Sequence, residues 1–279
     1  MTVDGVAQSP AELLDVANEA AAKAAAVIDA AVATRGGLHW KQKGESDFVT
    51  EVDTNAESAI IETINARCPG AIIIGEELSP ETEVEREGVT FLVDPLDGTT
   101  NFLHGYPEYS VSIAAVIDGE LVAGVVRNLA RPETFTATRG GGAFMNGDKI
   151  TVSKETEPYR ALIGTGFPFK RHDLLEKYAQ QFIKVSSHTA GVRRAGSAAV
   201  DLSNLACGRF DAFWELVLAP WDIAAGTLIV REAGGIVTDL AGNRKELAHG
   251  PVVAGNPEIH PWLLRLLQKA IDHDIESIK

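Results

Sequence analysis

Thr90-Phe91-Leu92-Val93 is an apolar run that passes without a break into Asp94-Pro95-Leu96-Asp97-Gly98-Thr99-Thr100-Asn101-Phe102. A buried strand ending at Val93 holds the backbone, Pro95 stiffens the turn, and Gly98 lets main chain approach a ligand closely. Two carboxylates then stand on a rigid edge. The amides around Gly98 to Thr100 can form a helix N-terminus or a nest, either of which attracts a phosphate. Hard oxygen ligands beside an anion cradle point to magnesium and phosphate together. The plainer alternative is a strand followed by an Asp-Gly turn, because Asp, Pro and Gly all favour turns locally. Spacing removes two rivals. A calcium-binding EF-hand loop alternates its ligands ahead of its glycine, whereas Asp94 and Asp97 are three apart, and no lysine follows Gly98 as a Walker-type loop requires.

A second run repeats the pattern. Ala71-Ile72-Ile73-Ile74 reads as a short buried strand with Gly75-Glu76-Glu77 at its end. Neighbouring strands that each deliver carboxylates at their C-terminal ends would bring Glu76, Asp94 and Asp97 to one sheet edge, where ligands commonly bind. Two further carboxylates have a local reading. Asp53 or Thr54 opens a helix that runs through Ile60, Ile61 and Ile64, and Asp222 opens another from Pro220-Trp221; each acid serves as an N-cap, which does not forbid a place near a metal.

The remaining chain divides by texture. Ser9-Pro10-Ala11-Glu12 is a capping box starting a helix that should run to about Thr34, with Leu13, Val16, Ala20, Val27 and Ile28 inward and Gly36-Gly37 stopping it. Residues 41–54 read as irregular and polar. From Tyr109 to Val152, apolar runs joined at Asp118-Gly119, Arg139 to Gly142 and Asn146-Gly147 predict antiparallel hairpins. A polar, proline-containing stretch from Ser153 to Tyr159 suggests a boundary, giving an N-terminal domain over 1–153 with most of the carboxylates and a C-terminal domain over 154–279 with Asp222. Beyond it, strands and helices alternate. The fold class expected is mixed α/β.

Composition excludes several classes. A net charge of −14 repels polyanions, so direct nucleic-acid binding is not expected. No segment approaches the ~20 apolar residues that span a bilayer, and the N-terminus lacks a basic region followed by an apolar one, so the expected address is the cytoplasm, with no membrane partner. The two cysteines, Cys68 and Cys207, offer no disulfide framework and read as buried small hydrophobes; the seven histidines form no short ligand pair, which disfavours zinc.

Taken together, Gly75-Glu76-Glu77, Asp94 to Phe102, Trp221-Asp222-Ile223-Ala224-Ala225-Gly226, and Asp53 within Asp47-Phe48-Val49-Thr50-Glu51-Val52-Asp53 resemble the inositol monophosphatases of the magnesium-dependent, lithium-sensitive phosphatase superfamily. The likeness covers nearly the whole chain. It implies that Glu76, Asp94, Asp97 and Asp222, with the Leu96 carbonyl, hold two or three Mg²⁺, and that Thr99 with Glu76 or Asp53 orients the attacking water. It further implies that Gly98 and Thr99 amides hold phosphate. Gly196, Ser197, Ala198 and Glu215, together with Asp97 and Asp222, would meet the substrate. Lys43 is similar to a lysine near the family's site, though its spacing to Asp47 differs, and Arg193 is a further candidate for the site. The layered αβαβα sandwich of the superfamily, with an antiparallel sheet in the first half and a mixed sheet in the second, is expected, as is a homodimer. Thr100-Asn101-Phe102 favours a phosphorylated polyol, myo-inositol monophosphate, as substrate. Histidinol phosphate, fructose 1,6-bisphosphate and nucleotide 3′-phosphates are the alternatives, as is a regulatory association with transcription machinery.

Overall fold

The Ser9 capping box closes as expected. In the computed structural model, which describes residues 8–37, 40–44, 47–79, 87–244 and 247–272, the Glu12 amide donates to the Ser9 hydroxyl and the Glu12 carboxylate accepts the Ser9 N–H at 2.7 Å. Helix α1 (Pro10–Ala31) buries Leu13, Val16, Ala20 and Ile28. It ends three residues before Thr34, and Val27 is only half-buried.

Two local readings are corrected here. The stretch expected to be irregular forms an antiparallel hairpin, β1 (Trp40–Gly44) and β2 (Asp47–Thr50), because backbone pairing does not need apolar alternation in a polar ribbon. Helix α2 (Glu51–Arg67) starts earlier than Asp53. Thr50 is its cap, accepting from the Val52 amide at 3.1 Å, while Asp53 sits three residues on and accepts the Thr50 N–H at 2.9 Å. Lys43 lies on β1, and its side chain is outside the described residues.

The first half continues as β3 (Ile72–Gly75), β4 (Val89–Asp97), helix α3 (Thr99–His104), β5 (Ser110–Ile117), β6 (Glu120–Asn128), β7 (Glu133–Thr138), β8 (Gly142–Met145) and β9 (Asp148–Ile150). These strands form one seven-stranded sheet in chain order. Only β3 and β4 are parallel; the rest are antiparallel. Tight hairpins at Asp118-Gly119 and Asn146-Gly147 carry positive φ at both residues, 51° at Asp118 and Asn146.

The second half adds β10 (Leu162–Thr165), α4 (Leu175–Ser186), β11 (Gly191–Arg193), α5 (Ala198–Ala206), β12 (Ala212–Leu218), α6 (Pro220–Glu232), β13 (Ile236–Thr238), β14 (Gly250–Gly255) and α7 (Ile259–Asp272). Its five-stranded sheet runs β11-β10-β12-β14-β13, parallel over the first three strands and antiparallel after.

Side-chain alternation sets the layers. On β4 and β5, Phe91, Val93, Val111 and Ile113 point to α1 and α2, whereas Leu92, Ala114 and Val116 point to α5 and α6. On β12, Trp214 and Leu216 face α4 and α7, with Trp214 stacked 5.9 Å from Tyr178. Phe213 faces the other way, and Glu215 shares its side of the strand. The order is therefore helix, sheet, helix, sheet, helix, an αβαβα sandwich. The apolar cluster around α5 and α6 takes residues from both halves, from Ile74 to Ala254.

Helix α6 rests directly on the first sheet because β6 presents Gly124 there, where an added Cβ would lie 3.1 Å from the Ala225 Cα. Asp222 lies in the first turn of α6, and Gly124→Val should lower stability by about 1–3 kcal/mol in chemical denaturation through overpacking. It should also weaken divalent-cation binding; unchanged cation affinity would show that the α6 start is positioned some other way.

Candidate active site

The ends of β3 and β4 and the start of α6 meet at one cavity of about 520 Å³. Each brings a carboxylate. Glu76, Asp94 and Asp222 offer oxygens that all lie within 4.8 Å of one another. Parallel pairing of β3 with β4 puts Gly75 beside Val93, and the Glu76 amide donates to the Val93 carbonyl at 3.2 Å. The turn after β3 is held from below by Glu57, fully buried on α2, whose carboxylate accepts the amides of Glu77 at 2.8 Å and Leu78 at 3.0 Å. Gly75 is required there, since a Cβ would fall 2.1 Å from Glu57 Oε1. Sequence reading passed over Glu57. The available signal was its position on the inward stripe of α2, with Asp53, Ala56, Ile60 and Ile64.

Asp94 is 2% exposed, and its Oδ1 accepts the Leu96 N–H at 3.0 Å. Asp97 Oδ2 accepts from the Ser197 hydroxyl at 2.6 Å and the Ala199 amide at 2.8 Å, which ties β4 to the start of α5. Asp222 does not cap α6 as its first residue. It lies at the third helical position and accepts the Ala219 N–H at 2.7 Å, while the Ser112 hydroxyl on β5 holds the Trp221 carbonyl at 3.2 Å. Asp53 does not line the cavity. It reaches the site through the Thr99 hydroxyl, 2.9 Å from its Oδ1 and 3.1 Å from the Leu96 carbonyl.

Gly98 adopts φ +93° before α3, and an added Cβ would lie 2.9 Å from the Glu108 carbonyl and 3.3 Å from that of Gly196. Asn101 secures this approach, its amide donating to the carbonyls of Glu108 at 2.6 Å and Ala195 at 2.9 Å. Thus Gly98, Thr99, Gly196, Ser197, Ala198 and Glu215 all line the cavity that Glu76, Asp94, Leu96, Asp97 and Asp222 also line. Arg193 does not. It lies exposed on β11 beside a smaller depression, and the cavity is lined by Arg194, whose guanidinium stacks 5.3 Å from Phe167 and 4.9 Å from Phe169. Lys170 and Asp201 also line it and were not singled out from sequence; Lys170 Nζ is 3.7 Å from Glu76 Oε1.

Burial and mutual repulsion dominate the electrostatics. Burial first, then the charges of Glu76, Asp97 and Asp222, push the Asp94 carboxyl well above its ordinary range. Asp222 is raised by burial and by Glu76 and Asp97. Glu215 is raised by burial and by Asp222. Burial lifts Asp97 to about 6 despite the opposing hydrogen bonds from Ser197 and Ala199. Such a set favours either bound protons or a bound cation.

The model of the inositol monophosphatase family matches residues 9–272. The chain belongs to the inositol monophosphatase family. Among relatives of this family, the Nus factor SuhB of Pseudomonas aeruginosa is 43% identical over 260 residues, covering 92% of this chain and 96% of that protein. The extragenic suppressor protein suhB of Bartonella henselae superposes with a TM-score of 0.84 at 38% identity, over 92% of this chain and 98% of its own. The inositol monophosphatase of Anabaena gives 0.82 at 35%, over 92% and 95%. Among the described residues, no helix is long and apolar enough to cross a membrane.

The raised carboxyls make a pH prediction with a definite sign. Asp97 has an ordinary pKa of 3.8 and a folded value of about 6, so the folded state holds a proton that the unfolded chain has released. Stability of the cation-free protein therefore falls as pH rises through that interval and stays lower above it. A divalent cation held by these carboxylates would take the place of the protons. It should raise the unfolding temperature at about pH 8 and far less near pH 5, as read by thermal scans against a chelator control. An equal shift at both values would contradict this electrostatic account.

Proposed function

We propose that the protein is a Mg²⁺-dependent phosphomonoesterase acting on a small phosphorylated polyol, with myo-inositol monophosphate as the leading substrate. The observation that carries the reading is the meeting of Glu76, Asp94 and Asp222 within 4.8 Å, on three separate elements, beside Gly98 and Thr99. The donor set fits magnesium. Every side-chain ligand is a hard carboxylate oxygen, the site is largely buried, and its repulsion calls for positive charge. About two or three Mg²⁺ held by Glu76, Asp94, Asp97, Asp222 and the Leu96 carbonyl would neutralise the cluster, polarise the phosphoryl group and acidify a water.

The chain's own groups do the rest. The main-chain N–H groups of Gly98 and Thr99 hold phosphate oxygens. Thr99, hydrogen-bonded to Asp53, orients the water for in-line attack, and Asp53 or Glu76 takes up its proton. Gly196, Ser197, Ala198 and Glu215 meet the polyol hydroxyls. Because Ser197 also bonds Asp97 at 2.6 Å, substrate placement and ligand placement are mechanically joined. No covalent enzyme intermediate is required. The reading includes a homodimer, as the family resemblance implies.

A second reading has its own support. Relatives at 43% and 44% identity carry the name Nus factor, which favours a regulatory association with transcription machinery. The two are separable: a catalytically silent Asp97→Asn protein that still retains an RNA polymerase or ribosomal partner would show a role independent of turnover.

Phosphate release from myo-inositol 1-phosphate, histidinol phosphate, fructose 1,6-bisphosphate and a nucleotide 3′-phosphate tests the substrate. The inositol ester should be preferred, and a preference of more than about tenfold for another would overturn that part of the reading. Asp97→Asn and Asp222→Asn should each lose at least about 100-fold in kcat with the fold retained, since even outer-shell partners of a metal cost 10–100-fold. Near-normal rates at saturating Mg²⁺ would contradict the ligand roles.

A further inference from the structure

The loop that follows β10 is held at several points and presents a charged tip to the main cavity. Gly166 lies against Glu215, where an added Cβ would collide with the carboxylate. Phe167 packs edge-on against Tyr178 at 5.1 Å, and the Tyr178 hydroxyl is 3.1 Å from that of Thr165 at the end of β10. The Phe169 amide donates to the Phe167 carbonyl at 2.8 Å, and the Arg171 amide to that of Pro168 at 2.9 Å. The Arg194 guanidinium covers both rings, 5.3 Å from Phe167 and 4.9 Å from Phe169. Lys170 comes next along this held backbone. It lines the cavity with its side chain 54% exposed, and its Nζ lies 3.7 Å from Glu76 Oε1.

That ion pair is readily exchanged. A half-exposed pair contributes little, because water screens it and both side chains lose freedom in making it. Glu76 is also one of the three carboxylates whose oxygens meet within 4.8 Å. A divalent ion bound among them would claim Glu76 and repel an ammonium standing 3.7 Å from the same oxygen. The lysine would then turn to another anion within its reach. A phosphoryl group held by the Gly98 and Thr99 amides would enter the same cavity and supply one. An ammonium is a compact charge with three donors on a long stem, so it can change partners without moving the backbone that carries it.

We propose that Lys170 is a phosphate-binding residue: its ammonium pairs with Glu76 until divalent cations load, and then contacts a phosphoryl oxygen of the substrate. The assignment rests on the phosphomonoesterase reading above and adds to the Gly98 and Thr99 amides a cation from the second half of the chain. Lys170 binds the phosphate; no proton transfer and no covalent step falls to it.

The test compares Lys170→Met and Lys170→Arg with the wild-type protein. Three quantities are read: Mn²⁺ affinity by titration calorimetry, the inhibition constant of inorganic phosphate, and kcat and KM at saturating Mg²⁺ for whichever of the four phosphate esters named above is hydrolysed fastest. Lys170→Met should raise the phosphate inhibition constant and KM by about tenfold, as for one lost charge-assisted hydrogen bond. Its kcat should stay within about threefold, since the contact is made in the ground state as well as the transition state. Its Mn²⁺ affinity should be unchanged or up to about threefold tighter, because a competing cation has left Glu76. Lys170→Arg keeps the charge and should bind phosphate within about threefold of wild type. An unchanged phosphate constant in Lys170→Met, an equal loss in both variants, or a fall in Mn²⁺ affinity large enough to account for the phosphate loss would each overturn the assignment. A wild-type protein that releases phosphate from none of the four esters would instead overturn the phosphatase reading itself.

Discussion

Carboxylates repel one another, and this fold drives several of them into one small space. At 4 Å two unit charges cost about 1 kcal/mol in bulk water and about 4 kcal/mol at the effective dielectric near a protein surface. Glu76, Asp94 and Asp222 crowd within 4.8 Å, with Asp97 adjacent. An arrangement of this kind persists because each of the three aspartates is held by donors. The Leu96 amide serves Asp94, the Ala219 amide serves Asp222, and Ser197 with Ala199 serves Asp97. The residual repulsion is what makes the site a receptor for positive charge.

The two halves of the chain are joined at that receptor. Asn101 reaches from α3 to the Ala195 carbonyl, Ser197 reaches back to Asp97, and α6 lies on Gly124 of the first sheet with Asp222 at its tip. A shift at the start of α5 therefore moves both a cavity-lining loop and the hydrogen bonds of a carboxylate. On the proposed function, specificity and cation affinity would share parts, and a substitution at Ser197 or Asn101 would alter both together.

Local signals carried much of this architecture. The Ser9 capping box, the Asn146-Gly147 hairpin and the alternation along β4 and β5 are short-range features, and each led to the right element. The order of carboxylates along the chain carried the family. What escaped was long-range or weakly patterned. The β1–β2 hairpin is polar and has no strong turn signal. The α2 start was placed too late, although Thr50-Glu51-Val52-Asp53 has the spacing of a capping box. Glu57 and Asp201 were passed over because their placement depends on what packs against them. Glu57 lies under the turn after β3, and Asp201 on a helix buried along its whole length. In hindsight a charged residue on an inward helical stripe was the visible clue in both cases. Arg193 and Arg194 show the limit of adjacency, since both border the smaller depression and only Arg194 also lines the main cavity.

Diffraction from crystals soaked in Mn²⁺, recorded for its anomalous signal, tests the central claim most directly, because manganese accepts the oxygen ligands that magnesium does. The account predicts anomalous peaks between Glu76, Asp94 and Asp222, with at least one also in reach of Asp97 and the Leu96 carbonyl. A site left empty at saturating Mn²⁺, or peaks confined to other carboxylates, would contradict it.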